Sequence, residues 1–309
     1  MQKFSASDKI VALLFLIIPL ILVIIGILLF NYPLSEEIKL YLTIPLFSSL
    51  AILLIGFLIK KKRLNNIIKI VGWSLFAFYW STQPNTLYFG EDGDIVNASI
   101  AAIGVFILFY FAYHEWLSIK SKEKINCLNW IAGVGAIAGI MYYGIELTPI
   151  AMWLREVVAT QSGGLLNIFT GEVIIEGVTI SYKSAHIELI FACTAVQSMV
   201  LFVGMILPLM KVNINKRIYG LMVTVVPIYF LNLIRNALVI YLTGEYGPPF
   251  FSTAHNVIGK GGSLIALIIL LFIVTKIIPE VFDEIICLTD LYKRKGPLEQ
   301  FLNINWGKK

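Results

Sequence analysis

The chain has 309 residues, of which 58% are hydrophobic and only 14% charged, with a mean hydropathy of +0.84; an ordinary soluble domain carries roughly 25% charged residues. Apolar runs of about 20 residues, each able to cross a ~30 Å hydrocarbon core as a helix, recur throughout, which excludes a soluble enzyme or binding module. The net charge of +5 is mild and its Lys and Arg residues sit between apolar runs, so it reports topology and not a nucleic-acid partner.

In chain order, a short head with Lys3 and Lys9 precedes the run Ile10 to Phe30. That run is too long for a signal-peptide core, and Asn31-Tyr32-Pro33-Leu34-Ser35 offers no small-x-small cleavage pattern, which predicts a retained first helix. The second run, Ile38 to Ile59, follows Glu36 and Glu37 and ends in Lys60-Lys61-Lys62-Arg63, an asymmetry that puts the head inside. The short third run, Ile67 to about Trp80, leads through Gln83-Pro84-Asn85 into the acidic turn Glu91-Asp92-Gly93-Asp94 on the outer side. Runs four (Ile95 to Leu117) and five (Ile125 to Leu147) flank an inner loop with Lys120, Lys122 and Lys124.

From 148 to 185 the pattern changes. An interfacial helix is predicted from Pro149 to Thr160, then a flexible Gly163-Gly164, then two β-type runs around Glu176-Gly177 that read as a small outer hairpin. Either this is a linker on the membrane surface, or its strand edge receives an extended peptide. Runs six (His186 to Met210), seven (Ile218 to Tyr241) and eight (His255 to Ile278) complete the bundle, and the tail 280–309, with Lys293-Arg294-Lys295 and Lys308-Lys309, returns inside. The prediction is an all-α polytopic bundle of about eight transmembrane helices, one integral-membrane domain over 1–309, both termini cytoplasmic.

A charge at membrane depth costs at least ~2.5 kcal/mol and demands a reason. Arg235, in Asn232-Leu233-Ile234-Arg235-Asn236, lies ~9 Å below the outer end of helix seven at 1.5 Å per residue. Cys193, in Phe191-Ala192-Cys193-Thr194-Ala195-Val196-Gln197-Ser198, lies ~10 Å down helix six by the same arithmetic. His255 sits at the outer mouth of helix eight. Cys127 near the inner surface and Cys287 in the tail match no such depth, and no CxxC pair suggests a disulfide framework or a metal site. His114, beside Glu115, reads as structural.

A thiol attacks only as its thiolate, which a neighbouring cation favours. Arg235 can stabilise that thiolate, or the oxyanion formed when sulfur attacks a carbonyl, and His255 can take the thiol proton and return it to a leaving amine. Gln197, one helical turn below Cys193, and Asn232 could orient the pair or donate to the oxyanion, with Asn236 beside them. His186 is the alternative base, although two turns of helix would hold it ~10 Å from Cys193. The bland alternatives are a buried structural cysteine, an arginine paired with Glu188 or Glu146, and a histidine that caps a helix. Gly259, Gly261 and Gly262 around Lys260 lack the strand and Lys-Ser/Thr ending of a phosphate loop and read as close helix packing or room for a chain to enter.

Three ordered blocks carry a family resemblance: Ala192-Cys193-Thr194 with Gln197-Ser198, then Asn232-Leu233-Ile234-Arg235-Asn236, then Ala254-His255-Asn256. Together, over about Glu188 to Gly262, they resemble the exosortases and archaeosortases, integral-membrane cysteine transpeptidases. One departure is Ala195-Val196, where many members have a glycine followed by an aliphatic residue. The resemblance implies Cys193 as nucleophile, Arg235 as charge stabiliser and His255 as the third member. It also implies substrates: surface-protein precursors ending in a recognition motif, a hydrophobic helix and a basic cluster. They would be cut on the outer side of the cell membrane and passed to an amine, a lipid amine among the candidates, with no cofactor or metal. The competing readings are an intramembrane cysteine protease that uses water, a small-solute transporter with Arg235 binding an anion, and a catalytically inactive scaffold.

Overall fold

The computed structural model describes residues 4–59, 61–90, 93 and 95–302. Lys3, Lys60, Glu91, Asp92, Asp94, Lys308 and Lys309, all used above to argue topology, lie outside these residues. The chain forms two compact units, one of residues 1–136 with 284–309 and the other of residues 137–283.

The first unit begins with α1 (Ala6–Leu29), started by a capping box in which Ser5 and Asp8 satisfy each other's backbone donors. Helices α2 (Glu36–Leu58), α3 (Lys62–Ser81), α4 (Pro84–Phe89), α5 (Ile95–Ser121) and the start of α6 (Asn126–Glu146) follow. Small residues let these helices approach: a Cβ on Gly72 would meet the Leu53 side chain at 2.8 Å, and one on Gly104 would meet the Trp80 ring at 2.5 Å. At the same interfaces lies a fully buried ion pair, Lys69 Nζ to Glu115 at 2.7 Å.

The end of α11 (Pro279–Thr289) and α12 (Pro297–Phe301) belong to this unit. Arg294 donates to the His114 carbonyl at 3.0 Å and to Ser118 Oγ at 3.2 Å. Buried Glu299 accepts from Tyr110 (3.0 Å) and Tyr113 (2.8 Å). His114, read from sequence as structural, lies inside this network, its Nδ1 3.1 Å from Arg294 Nη1. The expected absence of a disulfide is corrected: Cys127 and Cys287 are bonded to each other, a pairing that spacing along the chain does not reveal.

The second unit holds the rest of α6, then α7 (Ile150–Thr170), a three-stranded sheet, α8 (Val196–Ile206), α9 (Ile214–Tyr246) and α10 (Lys260–Ile277). Three expectations change here. The interfacial helix does not stop at Thr160 but runs through Gly163-Gly164 to a left-handed Gly171. Gly163 serves contact, since a Cβ there would stand 2.7 Å from the Ile175 side chain, whereas one on Gly164 would meet open space. The hairpin is a meander of β1 (Val173–Glu176), β2 (Thr179–Tyr182) and β3 (Ala185–Glu188), with two-residue turns at Gly177 (φ 59°) and Lys183 (φ 49°).

The third change follows from the second. Residues 186–195, assigned above to a sixth spanning helix, are strand, extended link and 3-10 turn, and α8 has only 11 residues, or about 17 Å of helix. Among the described residues six helices, α1, α2, α5, α6, α9 and the one ending in α10, are long and apolar enough to span a membrane, against about eight expected. The helical membrane bundle stands. Ile180, Tyr182 and Leu189 pack with Val158, Ala159 and Leu166 of α7 and Leu233, Ala237 and Ile240 of α9, and Cys193 closes this core.

Candidate active site

Cys193 is held by a sequence of backbone states that leaves its carbonyl turned inward. Ile190 is extended, Phe191–Thr194 form one 3-10 turn with the Cys193 N–H bonded to the Ile190 carbonyl at 2.9 Å, and Ala195 is left-handed (φ 59°, ψ 11°) before α8 begins. Left-handed backbone costs an L-residue other than glycine, asparagine or aspartate about 1–2 kcal/mol. The position where the resemblance expects glycine is the one whose conformation favours it.

Asn232 and Asn236 are one turn apart on α9, and both face this carbonyl. Their amide groups donate to the Cys193 oxygen at 2.8 Å and 3.0 Å, filling both of its lone pairs. Asn236 then accepts from Arg235 Nη1 at 3.2 Å, and Arg235 Nη2 lies 3.4 Å from His255 Nδ1. A guanidinium can only donate, so Nδ1 is the acceptor in that contact. His255 stands in a π-helical turn, Thr253–Gly259, with the Phe251 ring stacked on it at 5.2 Å; such wide turns are frequent at functional sites. Gly259 makes room for the guanidinium, since a Cβ there would be 3.1 Å from Arg235 Nε.

Arg235 has no acidic partner among the described residues. Glu188 is taken by Arg155 at 2.7 Å, and Glu146 accepts from Tyr142 at 3.1 Å. The Arg235 Nε is buried with no hydrogen-bond partner. A cation left without a counter-ion in an apolar helix is costly; here it is joined through one asparagine to the main-chain carbonyl of Cys193, whose thiol is free and buried, and directly to a histidine.

Residues 50–273 match the family model described as transmembrane exosortase. The chain belongs to the exosortase family. No curated protein and no solved structure matches it. Membership in the exosortases brings a membrane-embedded sorting transpeptidase of proteins that carry a sorting signal, and the matched stretch contains all three motif blocks.

The remaining expected residues of this exosortase fall outside the contact chain. Gln197 is exposed in the first turn of α8, and the left-handed Ala195 breaks the helical register that would set it below Cys193. His186 lies on β3, where Nδ1 pairs with Ser181 Oγ at 2.9 Å, so the two-turn helical spacing from Cys193 does not exist. Arg155 was not singled out from sequence: its Nε donates to the Leu189 carbonyl at 2.7 Å, pinning the link that carries Cys193. Its signal is only an arginine next to Glu156 in a mixed helix, which sequence alone does not set apart.

Proposed function

We propose that this exosortase cleaves precursors near a C-terminal sorting motif through a thioester on Cys193 and transfers the new carboxyl end to an amine. The observation that carries the reading is the continuous contact from His255 through Arg235 and Asn236 to the Cys193 carbonyl. In this scheme the Cys193 proton leaves as sulfur attacks the scissile carbonyl, and Arg235 offers the guanidinium that balances the resulting negative charge. The C–N bond then breaks, the thioester remains on sulfur, and the proton goes to the leaving amine. His255 is the carrier of that proton, moving away from Arg235 to accept it. An amine, on a lipid in the simplest case, next attacks the thioester, the C–S bond breaks and the thiol is restored.

Asn232 and Asn236 act here as positioning residues. Each commits an N–H to the carbonyl of the nucleophile itself, which fixes where the sulfur can stand and leaves the oxyanion to Arg235. The site is proposed on the outer face of the cell membrane with both termini cytoplasmic, where a precursor helix with its basic end inside would present its motif.

The test is co-expression with tail-bearing surface proteins of the same genome, reading tail removal by mass spectrometry. Loss of cleavage in both Cys193→Ala and Arg235→Lys, with the proteins still in the membrane, is expected, because lysine keeps the charge but not the planar fork. Cleavage that survives Cys193→Ala would overturn covalent catalysis.

A further inference from the structure

The sheet beside the nucleophile has two edges, and the register shows what each offers. In a two-residue hairpin the closing pair exchanges hydrogen bonds, and bonded and non-bonded pairs alternate along the ladder. For β2 and β3 the bonded pairs are Tyr182 with Ala185 and Ile180 with Ile187, continued by the Leu189 N–H to the Val178 carbonyl at 2.9 Å. The main-chain N–H and C=O groups of His186 and Glu188 therefore point away from the sheet. No hydrogen bond among the described residues engages them. On the opposite edge Val173 and Ile175 point outward, and there the Val173 N–H is already bound by Asn167 Oδ1 at 3.2 Å. The packed face of the sheet is filled by α7 and α9, so the β3 edge is the side that can still pair.

A short link joins this edge to Cys193. Cys193 follows Glu188 by five residues, so the two lie no more than ~17 Å apart. We propose that the β3 edge is the docking strand for the substrate, pairing through His186 and Glu188 with the extended segment that precedes the scissile bond. This deepens the transpeptidase reading and rests on it. An extended peptide presents the same alternating donors and acceptors as a strand, and main-chain pairing holds it while side-chain pockets select its sequence.

The direction follows from polarity. The enzyme runs from a sheet bearing exposed Glu176, Lys183 and Glu188, through Cys193, into apolar α8. A precursor runs from a polar domain, through its motif, into an apolar helix. The two chains travel the same way, so the substrate strand adds parallel to β3. The residue paired with Glu188 then lies within about five residues of the cleaved bond, and the one paired with His186 lies farther upstream.

Proline replaces an N–H without requiring a helix or a lost ladder bond when that N–H faces outward. Glu188→Pro and His186→Pro are expected to lower tail removal by about tenfold each for one lost main-chain bond. Glu188→Ala, which keeps the N–H, should lose much less. Iodoacetamide labelling of the buried Cys193 no faster than in wild type, in the membrane-inserted proteins, shows that the core around the site remains formed. A second measurement does not depend on proline: a photo-cross-linking amino acid at 186 or 188 in a Cys193→Ala background, with a tail-bearing precursor co-expressed. Cross-links from 188 should map closer to the cleavage site than those from 186. The reverse order, cross-links outside the segment upstream of the bond, or proline variants that process like wild type would each overturn the docking strand. If Cys193→Ala itself still processes the precursor, the transpeptidase reading fails instead.

Discussion

Removing the two asparagines beneath Cys193 separates positioning from the chemistry. The Cys193 carbonyl is buried and receives exactly one donor from each side chain. Asn232→Ala leaves the other donor in place, so its cost is that of one net hydrogen bond, about 0.5–1.5 kcal/mol. Asn236→Ala also removes the acceptor of Arg235 Nη1, a bond to a charged group, and this raises the expected cost to about 2–4 kcal/mol. In the double variant the carbonyl has no partner and the desolvation penalty of about 1–3 kcal/mol appears in full, so the two losses exceed their sum. At 1.36 kcal/mol per tenfold in rate, turnover should fall by up to about tenfold in Asn232→Ala and by about 30-fold or more in Asn236→Ala. The assay is tail removal from a co-expressed precursor, normalised to membrane-inserted enzyme, with Cys193 alkylated no faster than in wild type. Asn236→Ala at wild-type turnover, or a double variant no worse than Asn236→Ala alone, would refute the clamp.

Three other outcomes follow from the geometry of the chain. Ala195→Gly should raise the temperature of unfolding in detergent, by the equivalent of about 0.5–1 kcal/mol once the freer unfolded chain is counted; a lower temperature would mean that the left-handed turn is not strained. Lys69→Met strands the buried Glu115 carboxylate and should cost about 3–5 kcal/mol, whereas Lys69→Met with Glu115→Leu should be nearly neutral by the same thermal assay; equal losses in both would show that the pair carries no buried-charge penalty. Gly259→Ala places a methyl 3.1 Å from Arg235 Nε and 3.2 Å from the Ala254 carbonyl, so tail removal should fall at least about tenfold, one 1.36 kcal/mol step, with little change in unfolding temperature. Unaltered cleavage would show that the guanidinium does not depend on this seat.

Much of the fold is legible because hydrocarbon thickness dictates run length: α1, α2, α5, α6, α9 and α10 lie where 20-residue apolar runs predict them. The region that departs is 150–210. Short apolar runs read alike as strand or buried helix, and Ala185–Glu188 joins a long apolar stretch whose interruption is the backbone of Ala195, invisible in an alanine. Helical rise puts Cys193 and Arg235 at one depth, and they are joined, but through Asn236 and a 3-10 turn and not through matched helices. Arg235 and His255 are readable because a charge and a polar ring in apolar surroundings stand out. Lys69 with Glu115 and Cys127 with Cys287 are not, because their partners are brought together only by tertiary packing across 46 and 160 residues.

The discontinuous first unit sets an order of assembly. Its residues 1–136 are synthesised before the entire second unit, and the segment that completes it, 284–302, comes after. Until Arg294 and Glu299 arrive, the Tyr110 and Tyr113 hydroxyls and the His114 carbonyl of α5 lack the partners they have in the folded unit. A ribosome delivering this protein therefore leaves the first unit incomplete while the second is made. Arg294 and Glu299 act as the latch that closes the first unit.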